Sequence, residues 1–368
     1  MKMSRYTPYF GIVYGLVFGA FVITLFSHVS VVRAPIIFIP HASLTPSVVI
    51  TVSATSTPAT STPKKIASSP QATPAPVPVA SVVPTPPSAA AINAALDVSA
   101  SALRSALVNI ICYAPAGGTI RSISGSGIIV DPKGIILTNA HIAQYFLLAD
   151  RGVSCTIRSG SPAADRYKAA LIYISPTWLQ VNPNVLTKTT PGGTGEYDFA
   201  LLAISKSVTT NPLPSSFPYV PLATMPPTTG TPIVIASYGA QFLAPDQIAS
   251  NLSPTIVFGS VKDVFTFGTN TIDVLALGGS VAAQEGSSGG GVADVSGDLV
   301  ATITTSTISG ATDTRSLNSI TSSYIRAEYA TETGQPLDLL LEKAPTQVAA
   351  DFAPQISALE AIITANLP

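Results

Sequence analysis

Histidine is scarce in this sequence, and a single histidine lies in a setting suited to chemistry. His28 and His41 lie near the N-terminus, whereas His141 lies in the stretch LTNAHI, residues 137–142. An imidazole changes its charge near neutral pH and can therefore serve as a general base. Because LTNAHI follows two apolar runs and opens a short apolar helix, we take His141 as the candidate base. A purely structural histidine is the alternative.

A glycine-rich stretch, GSSGGG at 286–291, contains the candidate nucleophile Ser288. A nucleophilic serine needs a tight turn for its hydroxyl and nearby backbone N–H groups that bind an oxyanion. Glycines permit both, because they tolerate unusual backbone angles and close approach. The alternative is a flexible loop. Residues 292–303 continue as a predicted strand pair, which favours an ordered turn.

An acid at the head of an apolar strand completes this set. Asp198 begins the run DFALLAI, residues 198–204. A partly buried carboxylate can orient an imidazole and stabilise its protonated form, although aspartate before a strand is also common turn chemistry. Three histidines and two cysteines are too few for a His-rich or Cys-based metal site. We expect neither a metal nor another cofactor.

Short apolar runs separated by turn residues must position these side chains. Their number favours an all-β sandwich or barrel over alternating strands and helices. The predicted strands cover residues 127–130, 135–137, 167–174, 198–204, 232–238, 255–261, 271–277 and 299–304.

Two helices are predicted at the ends of this region. The first contains Ile92, Leu96, Leu103, Leu107 and Ile110, whose spacing is compatible with one helical face. The second is a terminal helix with apolar residues at three- and four-residue steps, at positions 352, 356, 359, 363 and 367. We expect it to pack on the barrel or on a second copy of the chain, which would form a homo-oligomer.

Three short motifs, which contain a histidine, an aspartate and a serine in that order, resemble those of a known family. They are TNAH at 138–141, YDFALL at 197–202 and GSSGG at 286–290, with His141 and Asp198 57 residues apart and Asp198 and Ser288 90 apart. Together they resemble the trypsin-like serine peptidases of the chymotrypsin fold, in particular the HtrA/DegP-like branch. The resemblance covers roughly residues 105–330 and implies two six-stranded antiparallel β-barrels with the site in the cleft between them.

The resemblance also implies a role for each matched residue. Ser288 would be the nucleophile, His141 the general acid and base, and Asp198 the orienting carboxylate. The backbone N–H groups of Gly286 and Ser288 would form the oxyanion hole, and hydrolysis would proceed through an acyl-enzyme. Secreted trypsins have an aspartate where this chain has Ser287, so their activation ion pair is not expected. No recognisable PDZ domain follows residue 330.

Substrate preference is predicted from the same resemblance. Ala282 and Ala283 correspond to the base of the primary specificity pocket, and Thr304 corresponds to a facing wall by its distance from the nucleophile. None of them carries a charge. We expect a small or medium apolar residue at the cleavage position, in place of lysine or arginine.

Composition divides the chain into four parts. We predict a cytoplasmic N-terminus with a membrane segment at 1–33, a Pro/Ser/Thr-rich disordered linker at 34–88, a peptidase domain at 89–330 and a helical tail at 331–368. Twelve of the 32 prolines lie in the linker, where they disfavour a hydrogen-bonded core. Charged residues make up 10% of the chain and the net charge is −1, which argues against nucleic-acid binding.

The N-terminal apolar stretch predicts a single membrane span. Residues 10–32 carry no Lys, Arg, Asp or Glu, and Lys2 and Arg5 precede them. Crossing a bilayer takes roughly 20 helical residues, and flanking positive charges stay in the cytoplasm. We favour an uncleaved signal anchor over a cleaved signal peptide. Either alternative exports the following domain, which the anchor would hold at the outer face of the cell membrane.

Export of the domain determines the expected oxidation state of its two cysteines, Cys112 and Cys155. In an oxidising compartment a disulfide is favoured, and it would span the stretch that contains His141. The alternative is a pair of buried free thiols. The sequence thus predicts a membrane-anchored extracytoplasmic serine endopeptidase in envelope protein quality control or processing, with protein or peptide substrates. The competing prediction is an inactive binding or scaffold module of the same fold on a stalk.

Overall fold

The computed structural model describes residues 87–188, 192–365 and 367. The predicted membrane segment at 10–32 and almost all of the predicted linker lie outside the described residues. Within residues 81–368 the chain forms one compact unit. In the described part of the chain, no helix has both the length and the apolarity that crossing a bilayer requires.

The first sheet is a closed six-stranded barrel in the order β1-β2-β3-β6-β5-β4. β1 pairs with both β2 and β4 and thereby closes it. Its strands contain apolar runs without charge that are buried on both faces of the barrel wall, such as Ile135, Ile136 and Leu137 of β3. The strands are β1 (Leu107–Tyr113), β2 (Ile123–Asp131), β3 (Ile135–Thr138), β4 (Ser154–Ser159), β5 (Ala164–Ile174) and β6 (Ala200–Ser207).

The second sheet has seven strands in the order β8-β7-β11-β12-β13-β10-β9, so the predicted second six-stranded barrel was wrong in strand number and closure. The reason is a change of strand pairing at Val261 and Lys262. The chain before these residues, the predicted strand 255–261, pairs with β7, and the chain after them forms β9, a strand that was not predicted and that pairs with β10. These two segments become the two edges of an open sheet. The strands are β7 (Pro232–Ser237), β8 (Thr255–Ser260), β9 (Asp263–Phe265), β10 (Val274–Ala276), β11 (Gly291–Asp294), β12 (Leu299–Ser306) and β13 (Leu317–Thr321).

The first helix, α1 (Ala89–Ala106), ends earlier than the sequence predicts. Leu107 and Ile110 belong to β1, whose first six residues are all buried. The run LVNIIC is rich in β-branched residues and pairs on both sides, which favours a strand over a helix. The other helices are α2 (Ala140–Ala143), α3 (Pro176–Val181), α4 (Pro245–Asn251), α5 (Ser322–Thr333), α6 (Leu337–Glu342), α7 (Pro345–Phe352) and α8 (Ile356–Thr364).

The predicted terminal helix is two helices, α7 and α8, joined by a 3₁₀ turn at Ala353–Gln355. Pro354 lies in this turn, and proline disfavours a continuous helix because it lacks a backbone N–H. Phe352, Leu359 and Ile363 are buried in the core that includes the first barrel. The terminal helices were predicted to pack on the barrel or on a second copy of the chain. In the structure α7 packs on the barrel, where it contacts β5 and β6.

The predicted disulfide is confirmed. Cys112 on β1 lies directly opposite Cys155 on β4, and their sulfur atoms are bonded at 2.05 Å. The bond closes a loop with a sequence separation of 43 that contains β2, β3 and His141. It therefore ties the two ends of this segment across one strand pair of the barrel.

Candidate active site

His141 is presented at the junction of β3 and α2. β3 ends at Thr138, and Asn139 caps α2 with an extended backbone. The His141 Nδ1 atom lies 2.7 Å from Asp198 Oδ2, and its backbone N–H donates to Asp198 Oδ1 at 2.9 Å. A carboxylate only accepts hydrogen bonds, so Nδ1 carries the proton in neutral histidine and Nε2 is left as the base. The His141 side chain is 23% exposed, which leaves its outer edge open to a reactant.

Asp198 is held by more than His141. The Thr304 hydroxyl on β12 donates to Asp198 Oδ2 at 3.0 Å, and Asn139 Nδ2 donates to the Asp198 carbonyl at 2.8 Å. The carboxylate is almost fully buried, with 7% of the side chain exposed. Donors from α2 and from β12 therefore converge on this carboxylate, and the carboxylate fixes the orientation of the imidazole.

The residue before Asp198 adopts a left-handed backbone conformation. Tyr197 has a φ of 58°, which costs on the order of 1–3 kcal/mol for a residue with a side chain. Its backbone N–H donates to the Tyr324 hydroxyl at 3.1 Å. Burial raises the pKa of Tyr324 above its ordinary value, so this hydroxyl stays protonated and neutral. Helix α5, which carries Tyr324, thus helps to hold the turn that directs Asp198 toward His141.

The GSSGG turn packs directly against the first barrel. Gly289 has a φ of +82°, and a Cβ atom there would lie 2.0 Å from the Ser126 carbonyl oxygen and 2.5 Å from Thr138 Oγ1. Gly286 has a φ of +89°, and a Cβ atom there would lie 2.6 Å from the Tyr238 carbonyl oxygen. Only glycine fits both positions. The turn therefore holds Ser288 next to the strand end that leads into His141.

Two backbone N–H groups in this turn are available to an incoming group. Within the described residues, neither the Gly286 nor the Ser288 N–H donates a hydrogen bond to the protein. The Ser287 hydroxyl is instead buried and accepts from Ser237 Oγ at 3.0 Å. In the same part of the chain no hydrogen bond joins Ser288 Oγ to His141, and such bonds often tighten only when substrate binds.

The predicted pocket residues lie close to this turn and are buried. Ala282 and Ala283 have no exposed surface, and Thr304 directs its hydroxyl to Asp198. Their role in a substrate pocket stays a prediction. Arg315 was not predicted as a site residue; it is 5% exposed and donates from Nη1 to the Ala283 carbonyl at 2.7 Å. An arginine in a polar run gives no sequence signal for such a contact.

The described residues contain no cluster of three or more His, Cys, Asp or Glu side chains that could hold a metal ion. The arrangement there instead supports proton transfer and nucleophilic attack: a base with an oriented imidazole, a serine on a tight turn and two free N–H donors.

Comparison with known proteins agrees with this geometry. Residues 125–301 match the family described as trypsin-like peptidase domain. Fold and site thus define a serine peptidase of the chymotrypsin fold. More specifically, residues 125–301 form a trypsin-like peptidase domain, as in the trypsin-like serine peptidases, which are hydrolases.

Two forms of one protease are among the solved structures that are similar to this chain. The active form of the Rv3671c protease from M. tuberculosis is 20% identical, with a TM-score of 0.41 over 72% of this chain and 96% of that chain. Its inactive form is 18% identical, with a TM-score of 0.41 over 68% and 98% of the respective chains. No curated protein matches the chain.

Proposed function

We propose that this protein is a serine endopeptidase in which Ser288 attacks the peptide carbonyl and His141 accepts the serine proton. Asp198 orients His141, and the free N–H groups of Gly286 and Ser288 stabilise the oxyanion. The observation that carries the proposal is the Asp198–His141 contact of 2.7 Å beside a glycine turn that holds a serine against the same barrel. His141 then gives this proton to the leaving amine, which departs as the peptide C–N bond breaks. Water attacks the acyl-enzyme with His141 again as base, and His141 returns the proton to Ser288 as the acid product leaves.

A fluorophosphonate probe tests this mechanism because it phosphonylates only activated serines. We expect one labelled serine per folded molecule, located at Ser288 by peptide mass spectrometry and absent in Ser288→Ala. Ser287→Ala is the matched variant, since the neighbouring hydroxyl is buried against Ser237, and its labelling should persist. Folded wild-type protein that takes up no label would instead favour the inactive binding module.

For cleavage preference, we propose that Ala282 and Ala283 line an uncharged pocket for a small or medium apolar side chain. The Arg315 guanidinium, which donates to the Ala283 carbonyl, argues against lysine or arginine at the cleavage position, because like charges repel. A peptide library varied at the cleavage position should give the highest kcat/KM for Ala, Val or Leu. Preferential cleavage after Lys or Arg would contradict the assignment.

We further propose that residues 10–32 anchor the protein and that the peptidase domain acts outside the cell membrane, in envelope protein quality control or processing. The support is the uncharged stretch and the preceding Lys2 and Arg5. Full-length protein should sediment with membranes and be sensitive to external protease, whereas a variant lacking residues 1–33 should not sediment. New N-termini in envelope proteins should depend on Ser288.

A further inference from the structure

Ser126 on β2 connects the first barrel to the turn that carries Ser288. It is fully buried and lies in the run SGSG at 124–127, which sequence analysis did not single out. Its backbone N–H donates to the Ser288 carbonyl at 2.8 Å, and its hydroxyl donates to the Gly286 carbonyl at 2.8 Å. Two of the three carbonyls between Gly286 and Ser288 are therefore held by one residue.

The Ser126 hydroxyl also accepts a hydrogen bond. The Tyr238 N–H, just beyond β7, donates to Ser126 Oγ at 2.8 Å. Two residues later, the Ala240 N–H donates to the Glu285 carbonyl at 2.8 Å. One hydroxyl therefore holds the Gly286 carbonyl directly and, through the 238–240 segment, the carbonyl just before it.

These contacts determine where the Gly286 N–H points. In a trans peptide the carbonyl and the N–H point in opposite directions. Because Ala240 fixes the Glu285 carbonyl, the Gly286 N–H must point away from Ala240, and it has no protein acceptor among the described residues. Glycine at φ +89° has little intrinsic resistance to rotation, so the external hydrogen bonds must keep this orientation.

We infer that Ser126 is a positioning residue whose hydroxyl holds the N–H group of Gly286 ready before substrate binds. The inference rests on the proposed function, in which this N–H group and that of Ser288 stabilise the oxyanion. Preorganised donors act on the transition state more than on the bound substrate. Loss of the Ser126 hydroxyl should therefore lower kcat and leave KM nearly unchanged.

Ser126→Ala tests this, with Ser99→Ala as the matched control. Ser99 is also buried, and its hydroxyl donates to the Asp294 carbonyl at 2.7 Å on a different hairpin. We expect Ser126→Ala to lower kcat on the order of 10²-fold. It should weaken the binding of a peptide boronic acid, which forms a tetrahedral adduct with the serine, by the same factor. The affinity for the product peptide should stay the same. Ser99→Ala should change neither affinity.

The same kinetic and binding measurements can also contradict the inference. A Ser126→Ala enzyme with wild-type kcat, or with equal losses for boronic acid and product, would show a merely structural serine. If Ser126→Ala does not fold, Ser126→Cys replaces it, because a thiol keeps the shape but is a weak donor and acceptor. Its kcat should fall at an unchanged melting temperature, and wild-type kcat would overturn the inference.

Failure of the proposed function gives a different result. In that case the wild-type protein shows no turnover that depends on Ser288, and the inference is overturned with it. Wild-type turnover combined with an unaffected Ser126→Ala variant overturns the inference alone.

Discussion

The Asp198 carboxylate accepts three hydrogen bonds, two from His141 and one from Thr304. Each of these contacts is expected to contribute to kcat, because together they hold the imidazole in place. Asp198→Asn should lower kcat on the order of 10⁴-fold, because an amide can present its N–H to His141 and favour the wrong tautomer. An Asp198→Asn enzyme that retains most of its activity would remove this residue from the mechanism.

Thr304→Val tests the contact behind the carboxylate. Valine keeps the shape but removes the donor to Asp198, so we expect kcat to fall about tenfold, as for the loss of one hydrogen bond to a charged group. Thr302→Val is the control on the same strand, since its buried hydroxyl has no hydrogen-bond partner among the described residues. Steady-state kinetics should show a change for Thr304→Val only; equal losses in both variants would point to a general effect on β12.

At the scale of elements, the disulfide links β1 to β4 across the loop that contains His141. Replacing both cysteines with alanine should lower the free energy of unfolding by about 3–4 kcal/mol according to the loop-entropy model. The active-site hydrogen bonds do not involve the cysteines, so kcat/KM should change little at a temperature where the variant is folded. Urea unfolding with and without reductant measures the first quantity; no difference would contradict the estimate.

Helix α5 places acidic groups together behind the Asp198 turn. Burial first, and then the negative charges of Glu332, Asp273 and Glu196, raise the pKa of Glu328 above its ordinary value. Folding therefore takes up a proton between the ordinary pKa of about 4.3 and the raised pKa. The contribution is favourable to the folded state at low pH and is lost as the pH rises through this window.

Glu328→Gln removes this dependence. We expect the variant to melt at a higher temperature than wild type at pH 7 and to approach wild type near pH 4. Glu342→Gln makes the same charge change at an exposed position and should show no such pH-dependent gain. Thermal melts across the pH range measure both variants, and a Glu328→Gln variant that loses stability at pH 7 would contradict the expectation.

At the scale of the whole molecule, α7 and α8 extend the core beyond the two sheets. Phe352 is 6% exposed and belongs to the same apolar cluster as the first barrel. Phe352→Ala should lower the free energy of unfolding by about 3–5 kcal/mol, whereas Leu339→Ala, at a 44% exposed side chain, should have a small effect. Urea unfolding compares them; equal effects would show that the tail does not stabilise the barrel.

The sequence by itself determined the chemical inventory and its order. One histidine near a strand end, one acid before an apolar run and one serine among glycines carried the assignment, because local residue types define these boxes. Cys112 and Cys155 were paired correctly because two cysteines allow one intramolecular bond. Most of the strands were also predicted, since short apolar runs between turns are a local signal. β1 was predicted as the end of the first helix, and β4, β9 and β13 were not predicted.

Only the tertiary structure decided what depends on contacts between distant segments. Thr304 meets Asp198 across 106 positions, and Ser126 meets Gly286 across 160. The change of pairing at Val261 and Lys262, which places β8 and β9 on opposite edges of the second sheet, depends on contacts with β7 and β10. The local sequence around a hydroxyl or a short apolar run does not indicate which distant segment it will contact. The partner is therefore fixed only when the chain folds.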